Sequence, residues 1–345
     1  MVKQDGAILL AHGSGGRLTH ELVAHVFRPA FHNAVLEAGD DAAVVMMPRG
    51  SRLAMTTDTY VVKPLFFPGG DIGRLAVCGT VNDLSVMGAR PMYLSAGFVL
   101  EEGVGLELLD RVVASMAAAA AEADVQIVTG DTKVVERGSA DGLFINTAGV
   151  GVVPEGLNIR GSGARPGDAV IVSGPVGDHG IAVVSQRAGL TFGTTVQSDV
   201  APLNGLVAEL LAAAEGFGGG CPVHVMRDPT RGGLATTVNE IARQSGVGIR
   251  LEEGRIPVRP DVRAACEMLG FDPLYVANEG KLVAIVAADW AEQAVEVMRC
   301  SRYGAQAAII GKVTDGPAGR VLLSTGIGGT RVLDMLSGEM LPRIC

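Results

Sequence analysis

The sequence predicts an α/β protein built from two domains. Apolar, β-branched runs alternate along the chain with segments of helical periodicity, which is the pattern of layered α/β domains. The chain has 345 residues, and at roughly 150 residues per domain this length suits two units. Its 48 glycines are spread over the whole length, which indicates many short connections and no single flexible linker. A hydrophobic fraction of 48% is enough for a packed core and excludes a disordered chain.

The first half of the chain contains five predicted strands and two predicted helices. The strands are rich in β-branched or apolar residues and cover Ala42–Met47, Leu53–Thr57, Tyr93–Leu100, Gln126–Thr129 and Leu143–Val153. One helix is predicted over Asp71–Met87, where Gly88 ends it. The other covers Leu106–Ala123, in which Leu109 and Val112 lie on one face. This alternation predicts one layered α/β unit.

The turn-rich stretch Arg160–Asp168 predicts the junction to a second alternating series. Its strands are predicted at Ala169–Ser173, Val223–Met226, Gly248–Leu251, Lys281–Ala287, Ala307–Val313 and Arg320–Ser324. Its helices are predicted at Gly177–Ala188, Pro202–Glu215, Gly232–Gln244, Pro260–Leu269 and Trp290–Tyr303. We therefore expect domains at 1–155 and 156–333, followed by a mobile tail over 334–345. Pro342 prevents a regular helix in that tail, and no pattern indicates that its last residues are held in a core.

Charge and hydropathy exclude several classes of function. The net charge is −9, which predicts neither nucleic acid nor an anionic membrane surface as a partner. No stretch approaches the ~18 uninterrupted apolar residues of a membrane helix. The apolar run Ala7–Ala11 is too short for a secretory signal, so we expect a cytoplasmic protein. The five cysteines form no CxxC pair, which excludes the common zinc patterns and argues against a disulfide framework.

Several aspartates of the first domain could form one site. Asp40 and Asp41 precede a predicted strand, Asp58 and Asp131 follow predicted strands, and Asp83 lies beside Asn82 in the predicted helix. Carboxylates at strand ends can meet at one edge of a sheet, where ligands of open α/β sheets bind. Aspartates without histidine or thiol partners suit Mg²⁺ with a nucleotide better than zinc or iron. The alternative is that each is an ordinary turn or helix-capping aspartate.

Two glycine-rich segments could supply backbone N–H groups to phosphate oxygens. They are His12–Gly16 and the stretch Pro68–Asp71 before a predicted helix. Neither matches the P-loop or the dinucleotide-binding pattern. Taken alone, each is better interpreted as a connecting loop.

Three further residues could carry chemistry. Lys133 could neutralise a phosphate, and Glu279 could act as a general base, although both could equally be surface charges. Cys345 is the last residue, where a thiol on a mobile tail is an accessible nucleophile. Its terminal position does not fit prenylation, and the alternative is an incidental free thiol. The other cysteines are predicted to be structural, with Cys78, Cys266 and Cys300 in helices as small buried hydrophobes.

Long blocks of the sequence carry a family resemblance. They are Gly39–Val44, Thr56–Gly88, Thr129–Val135, Met226–Ile241 and the tail Pro342–Cys345. Through them nearly the whole chain resembles the HypE family of hydrogenase maturation proteins, carbamoyl dehydratases related to aminoimidazole ribonucleotide synthetase and selenophosphate synthetase. The absence of a cysteine from the N-terminal glycine-rich stretch disfavours the selenophosphate branch.

The resemblance implies a fold and a reaction. The fold is the two-domain aminoimidazole ribonucleotide synthetase-like α/β (mixed α+β) fold, with mixed sheets flanked by helices and a homodimer formed through the N-terminal sheet. The reaction is the ATP- and Mg²⁺-dependent conversion of a thiocarboxamide on Cys345 to a thiocyanate, the cyanide source for [NiFe] hydrogenase. HypF would load the carbamoyl group, and the HypC–HypD complex would receive the cyanide. The alternative is a carrier whose tail shuttles the group while a partner does the chemistry.

The resemblance also implies roles for the candidate residues. It places Glu279 and Lys133 near the tail for proton transfer from the modified Cys345. It assigns the role of metal ligand to Asp40, Asp41, Asp58 and Asp83. Asn82 and Asp131 join these four in the Mg-ATP site.

Overall fold

The protein is built around two β-sheets, one in each half of the chain. A computed structural model describes residues 7–9, 21–33, 52–189, 196–218, 220–335 and 343–345. A short helical segment, Val23–Phe27 in π geometry and Arg28–Ala30 in α geometry, precedes the first sheet. The predicted strand Ala42–Met47 lies outside the described residues.

Among the described residues, the first sheet is mixed and has four strands in the order β1-β6-β4-β5. The strands are β1 (Arg52–Tyr60), β4 (Arg90–Glu101), β5 (Gln126–Val135) and β6 (Leu143–Val153). Neighbours are antiparallel except β4 and β5, which are parallel. Two helices, α1 (Ile72–Val86) and α2 (Leu106–Glu122), contribute to the core that the sheet's buried residues form. This arrangement confirms the layered unit that the sequence predicts.

Helix α1 begins where the sequence predicts, because Asp71 caps it. The Asp71 Oδ1 atom accepts hydrogen bonds from the backbone N–H of Gly73 at 2.8 Å and of Arg74 at 3.1 Å, which satisfies two of the free donors at a helix start. A two-stranded ribbon, β2 (Phe66–Phe67) and β3 (Gly70–Asp71), leads into the helix. The sequence does not predict this ribbon, because each strand has only two residues.

The second sheet has seven strands in the order β13-β12-β9-β11-β7-β10-β8. The strands are β7 (Ala169–Val172), β8 (Val223–Arg227), β9 (Gly248–Glu252), β10 (Val283–Val286), β11 (Ala308–Thr314), β12 (Val321–Ser324) and β13 (Thr330–Val332). The helices are α3 (Asp178–Ala188), α4 (Asn204–Ala214), α5 (Gly233–Ser245), α6 (Pro260–Leu269) and α7 (Ala291–Cys300), with short 3₁₀ turns at Glu253–Arg255, Pro273–Tyr275 and Ala288–Trp290. Alternate residues of β7 and β10 belong to different core clusters. Both faces of the sheet are therefore covered, which explains the continuous apolar runs of these strands.

Two predicted strand ends are wrong. Strand β5 continues to Val135 and β1 to Tyr60, so Asp131 and Asp58 lie within strands and not after them. The pair Gly130-Asp131 resembles a turn, but β5 stays paired with β4 as far as Val135. A side chain at 130 would bring a Cβ within 2.3 Å of the Ala96 carbonyl oxygen, so the close strand pairing itself requires glycine there.

The segment 196–203 joins the two halves. The backbone N–H of Ser198 donates to the Pro68 carbonyl at 2.7 Å, and a Cβ at Gly69, whose φ is +88°, would meet that same backbone N–H at 2.6 Å. The glycine-rich stretch after Pro68 is thus packed against the second half of the chain. Its glycines allow this close approach of the two backbones. The other glycine-rich segment, His12–Gly16, lies outside the described residues.

The described part of the chain contains no helix that is long and apolar enough to cross a bilayer. All five cysteines are free. Cys78 and Cys266 are buried in helices as predicted, whereas Cys300 at the end of α7 is exposed, so the prediction that it is a buried hydrophobe is wrong. Cys300 ends its short helix on the solvent side.

Candidate functional site

The last three residues of the chain lie alongside the first sheet. We call residues 343–345 the docked tail. The backbone N–H of Val61 donates to the Cys345 carbonyl at 3.1 Å, and that of Lys63 donates to the Arg343 carbonyl at 3.3 Å. Arg343 has a φ of +55°, so the chain bends at this residue and the tail is not a regular strand. The docked tail therefore lies beside residues 61–63, directly after the end of β1.

Side-chain contacts hold the docked tail in place. The Ile344 side chain is 2% exposed and belongs to the core of the first half, and its carbonyl is 2.8 Å from His179 Nε2. Arg343 forms an ion pair with Asp141, while Arg187 donates to the Arg343 carbonyl at 2.6 Å. The expectation that nothing holds the last residues in a core is wrong. These partners lie more than 150 residues away along the chain, and no local pattern shows them.

The Cys345 thiol is half-buried beside acidic groups. Its side chain packs against the core of the first half. Burial, followed by the negative charge of Glu279, raises the pKa of the Cys345 thiol, and the positive charge of Arg231 lowers it. In the docked position the free thiol is accordingly held in its neutral, weakly nucleophilic form.

Glu279 is a buried carboxyl group with a free oxygen. It is 3% exposed, and its Oε1 has no hydrogen-bond partner among the described residues. Burial first, and then the charges of Asp228 and Asp199, raise its pKa well above the ordinary value. Its own backbone N–H donates to Asp199 Oδ1 at 3.1 Å. The alternative of a surface charge is excluded, and burial makes Glu279 a stronger proton acceptor than an exposed carboxylate.

Carboxyl groups from three separate segments influence one another next to Glu279. Asp83 in α1 accepts a hydrogen bond from Thr56 Oγ1 at 2.9 Å; burial raises its pKa, Thr56 lowers it, and the charge of Asp58 raises it. Burial, and then the charge of Asp83, raise the pKa of Asp228 to about 7. We call Asp58, Asp83 and Asp228 the carboxylate cluster. Asp228 was not among the candidates, although it follows β8 inside the block Met226–Ile241.

The carboxylate cluster suits a hard cation that is held partly by another ligand. Among the described residues, no three histidine, cysteine or acidic side chains are arranged to hold a metal ion by themselves. Mg²⁺, however, is commonly held by one or two carboxylates together with phosphate oxygens and water. The negative charges of neighbouring aspartates raise the pKa of Asp83 and Asp228, and a bound cation would offset this repulsion. Asp40 and Asp41 lie outside the described residues.

Asp131 and Lys133 lie on β5, at the end of the described sheet that is opposite to β1. They are exposed and form an ion pair at 2.8 Å, and the hydrogen bond from Lys133 lowers the pKa of Asp131. Among the described strands, β6 and β4 lie between β5 and β1, which puts β5 roughly 14 Å from β1 along the sheet at ~4.8 Å per strand. The docked tail follows the end of β1, so within one chain the structure does not bring Lys133 next to it.

Asn82 connects the two halves of the chain. Its Nδ2 donates to the carbonyls of Ala201 at 3.1 Å and Glu279 at 3.3 Å, and its Oδ1 accepts from the Leu203 N–H at 2.8 Å. Both amide hydrogens are thus engaged with backbone partners, and this geometry does not support the predicted nucleotide contact. Asn82 instead positions the backbone that carries Glu279.

Replacing Asn82 by Ala is expected to lower the free energy of unfolding by about 2 kcal/mol, because the buried Leu203 N–H and Ala201 carbonyl lose their partner. Urea unfolding measures the change. The exposed Asn158 provides the control, and Asn158→Ala is expected to change the free energy by less than ~0.5 kcal/mol. Equal stability of the two variants would contradict the connecting role.

Comparisons with known proteins agree with this architecture. The family model "AIR synthase related protein, N-terminal domain" matches residues 39–153, and the corresponding C-terminal domain model matches residues 165–324. The chain is 55% identical to the carbamoyl dehydratase HypE of Rhizobium leguminosarum bv. viciae over 341 residues, covering 99% of this chain and 96% of that protein.

Two solved structures resemble the chain closely. The crystal structure of hydrogenase maturation protein HypE in complex with ATP is 52% identical, covers 98% of this chain and 99% of its own, and has a TM-score of 0.92. A HypE–HypF complex structure is 50% identical with a TM-score of 0.79, covering 93% of this chain and all of its own. The likeness therefore extends over both sheets.

Proposed function

The chain belongs to the AIR synthase-related family and, within it, to the HypE carbamoyl dehydratases of hydrogenase maturation, and from that premise we propose the reaction of its terminal cysteine. Cys345 carries a carbamoyl group as a thiocarboxamide. ATP transfers its γ-phosphoryl group to the carbamoyl oxygen, and the amide nitrogen loses one proton. The C–O bond then breaks, phosphate leaves and the nitrogen loses its second proton, which yields a thiocyanate. One thiocarboxamide and one ATP thus give one thiocyanate, ADP and phosphate.

Glu279 is the proposed acceptor of the second proton. The observation that carries the proposal is the buried Glu279 carboxyl, whose Oε1 lacks a partner among the described residues and whose charge acts on Cys345. Its raised pKa makes it a better proton acceptor than an exposed carboxylate. Its rigid position also matters, because Asp199 and Asn82 hold its backbone from two sides.

The carboxylate cluster is the proposed holder of Mg²⁺ together with the nucleotide phosphates. Asp83 and Asp228 supply hard oxygen ligands, with Asp58 beside them, and the predicted Asp40 and Asp41 belong to the same proposal. Mg²⁺ would neutralise the charge that develops on the transferred phosphoryl group. Asp131 and Lys133 stay proposed contacts of the nucleotide or of a neighbouring subunit, since both side chains are exposed and β5 ends the described sheet.

A homodimer through the first sheet forms part of the proposal. Leu53 and Met55 of β1 are large apolar side chains that are 56% and 73% exposed, as expected at a surface that a partner covers. The proposed domains are 1–155 and 156–333, with the tail over 334–345. Their limits agree with the sheets that the two parts contain.

Two other proteins complete the proposed cycle. HypF, which forms a complex with HypE in a solved structure, would load the carbamoyl group, and the HypC–HypD complex would receive the cyanide on iron. Because the docked position keeps the Cys345 thiol neutral, loading is proposed to occur with the tail released. A thiol that must stay reduced suits the cytoplasm.

The experiment that tests the proposal measures phosphate release from carbamoylated protein in a single turnover with ATP. Asp83→Asn is expected to slow the release by roughly 100-fold or more, since charge stabilisation by a metal is worth several kcal/mol and each ~1.4 kcal/mol is tenfold. The exposed Asp110 on α2 offers the control, and Asp110→Asn should behave like the unchanged protein. A normal rate in Asp83→Asn would remove it from the metal site. No phosphate release from the unchanged protein would favour the carrier alternative.

A further inference from the structure

A buried imidazole from the second half of the chain contacts the docked tail. His179 lies in the first turn of α3 and is 0% exposed. Its Nε2 is 2.8 Å from the Ile344 carbonyl oxygen, and its Nδ1 is 2.8 Å from Ser198 Oγ. The Phe67 ring meets the imidazole edge-on at 5.3 Å between ring centres. The imidazole is therefore fixed by one contact at each nitrogen and by the Phe67 ring, which stands perpendicular to it.

The partners determine which nitrogen carries the hydrogen. A carbonyl oxygen only accepts, so Nε2 must donate to Ile344. Burial lowers the pKa of His179, which favours the neutral ring and leaves Nδ1 as an acceptor from the Ser198 hydroxyl. The Ser198 oxygen in turn accepts from the Val200 N–H at 3.2 Å. A continuous chain of hydrogen bonds thus runs from the connecting segment 196–203 to the tail.

The three carbonyls of the docked tail accept hydrogen bonds from two different parts of the chain. The carbonyls of Arg343 and Cys345 accept from Lys63 and Val61, and the carbonyl of Ile344 accepts from His179. Because Ile344 directly precedes Cys345, its orientation sets the direction in which the last side chain leaves the backbone.

We propose that His179, held in its Nε2–H form by Ser198, is a positioning residue that seats the tail and thereby places the group on Cys345 against Glu279. This inference rests on the proposed function for its consequence in catalysis. Its structural part, the seating of the tail, is independent of ATP and of the carbamoyl group.

The test compares two substitutions of His179 in the full chain. His179→Phe keeps a ring but has no N–H, whereas His179→Gln keeps an N–H donor on a chain long enough to reach the same carbonyl. Alkylation of Cys345 by iodoacetamide, without ATP, is followed by peptide mass spectrometry with the exposed Cys300 as internal reference. Cys345 is expected to react roughly two- to tenfold faster in His179→Phe, the range for one lost hydrogen bond. Cys300 should be unchanged, and His179→Gln should resemble the unchanged protein.

A second readout separates positioning from binding. In single turnovers of carbamoylated protein, His179→Phe is expected to lower the maximal rate of phosphate release without changing its half-saturating ATP concentration, because the imidazole contacts the tail and not the nucleotide. His179→Gln should restore the rate. Should His179→Phe fail to fold, Ser198→Ala replaces it, with a smaller increase in Cys345 alkylation expected.

The outcomes distinguish the two proposals. Equal alkylation of Cys345 in folded His179→Phe and in the unchanged protein, or identical behaviour of the Phe and Gln variants, would overturn the role of His179. Absence of ATP-dependent phosphate release in the unchanged protein would overturn the proposed function. The alkylation comparison would still decide the seating of the tail.

Discussion

Replacing Glu279 by Gln is expected to slow dehydration of carbamoylated protein by about 10²–10⁴-fold, the usual contribution of a general base. The change is nearly isosteric and removes a charge from a buried position, so the fold should be retained. The measurement is phosphate release and thiocyanate formation in a single turnover with saturating ATP. Glu267 is exposed on α6, and Glu267→Gln serves as the matched control with an unchanged rate.

The same variant should lose the acidic part of the pH–rate profile. Burial and the charges of Asp228 and Asp199 raise the pKa of Glu279, and only the deprotonated carboxylate accepts a proton. In the unchanged protein the rate should therefore fall as the pH drops through this raised pKa and level off above it. In Glu279→Gln that dependence should be absent. An unchanged rate and profile would remove Glu279 from the mechanism.

Replacing Cys345 by Ala is expected to abolish carbamoylation of the chain and with it all cyanide formation. Alanine has no nucleophile, and the other described segments offer no thiol in the same position, since Cys78 and Cys266 are buried. Intact-protein mass spectrometry after incubation with HypF, ATP and a carbamoyl donor measures the loading. Cys300→Ala removes an exposed thiol and is the matched control, which should be loaded and dehydrated normally.

Two results would contradict this expectation. Loading of Cys345→Ala at the normal level would place the acceptor elsewhere, and cyanide formation by that variant would exclude the tail from the reaction. Loss of loading in Cys300→Ala would show that the assay reports general thiol damage. Thermal unfolding of both variants checks that neither result comes from a lost fold.

Most elements of the fold could be predicted because local signals were strong. Helix α1 shows a capping aspartate at Asp71 and a glycine after its end, and α6 begins at Pro260 and ends before Gly270. Strands β7 and β10 were recognisable as continuous apolar runs because both of their faces are buried. Strand β5 was cut short at Gly130, because close pairing with β4 and not a turn required the glycine.

The candidate site was predictable only in part, because motifs identify residues but not their contacts. Asp83 and Glu279 were named from motifs, but their burial and shared electrostatics arise only when α1, β8 and the turn before β10 come together. Asp228 was overlooked because its neighbours in sequence, Arg227 and Pro229, indicate an ordinary turn. Lys133 is predicted near the tail, but β4 and β6 lie between its strand and β1, and strand order is decided by long-range pairing.

The amino-acid sequence by itself determined the two α/β units, most helix and strand limits, the family and the terminal cysteine, because these depend on local periodicity, turn residues and long matching blocks. Only the tertiary structure decided that the docked tail contacts His179 and residues 61–63. It also decided that Asn82 holds the backbone of Glu279 and that Asp228 joins the carboxylate cluster. These features are contacts between residues far apart in the chain. The pKa shifts and the position of the docked tail depend on burial and distance, which no local sequence pattern predicts.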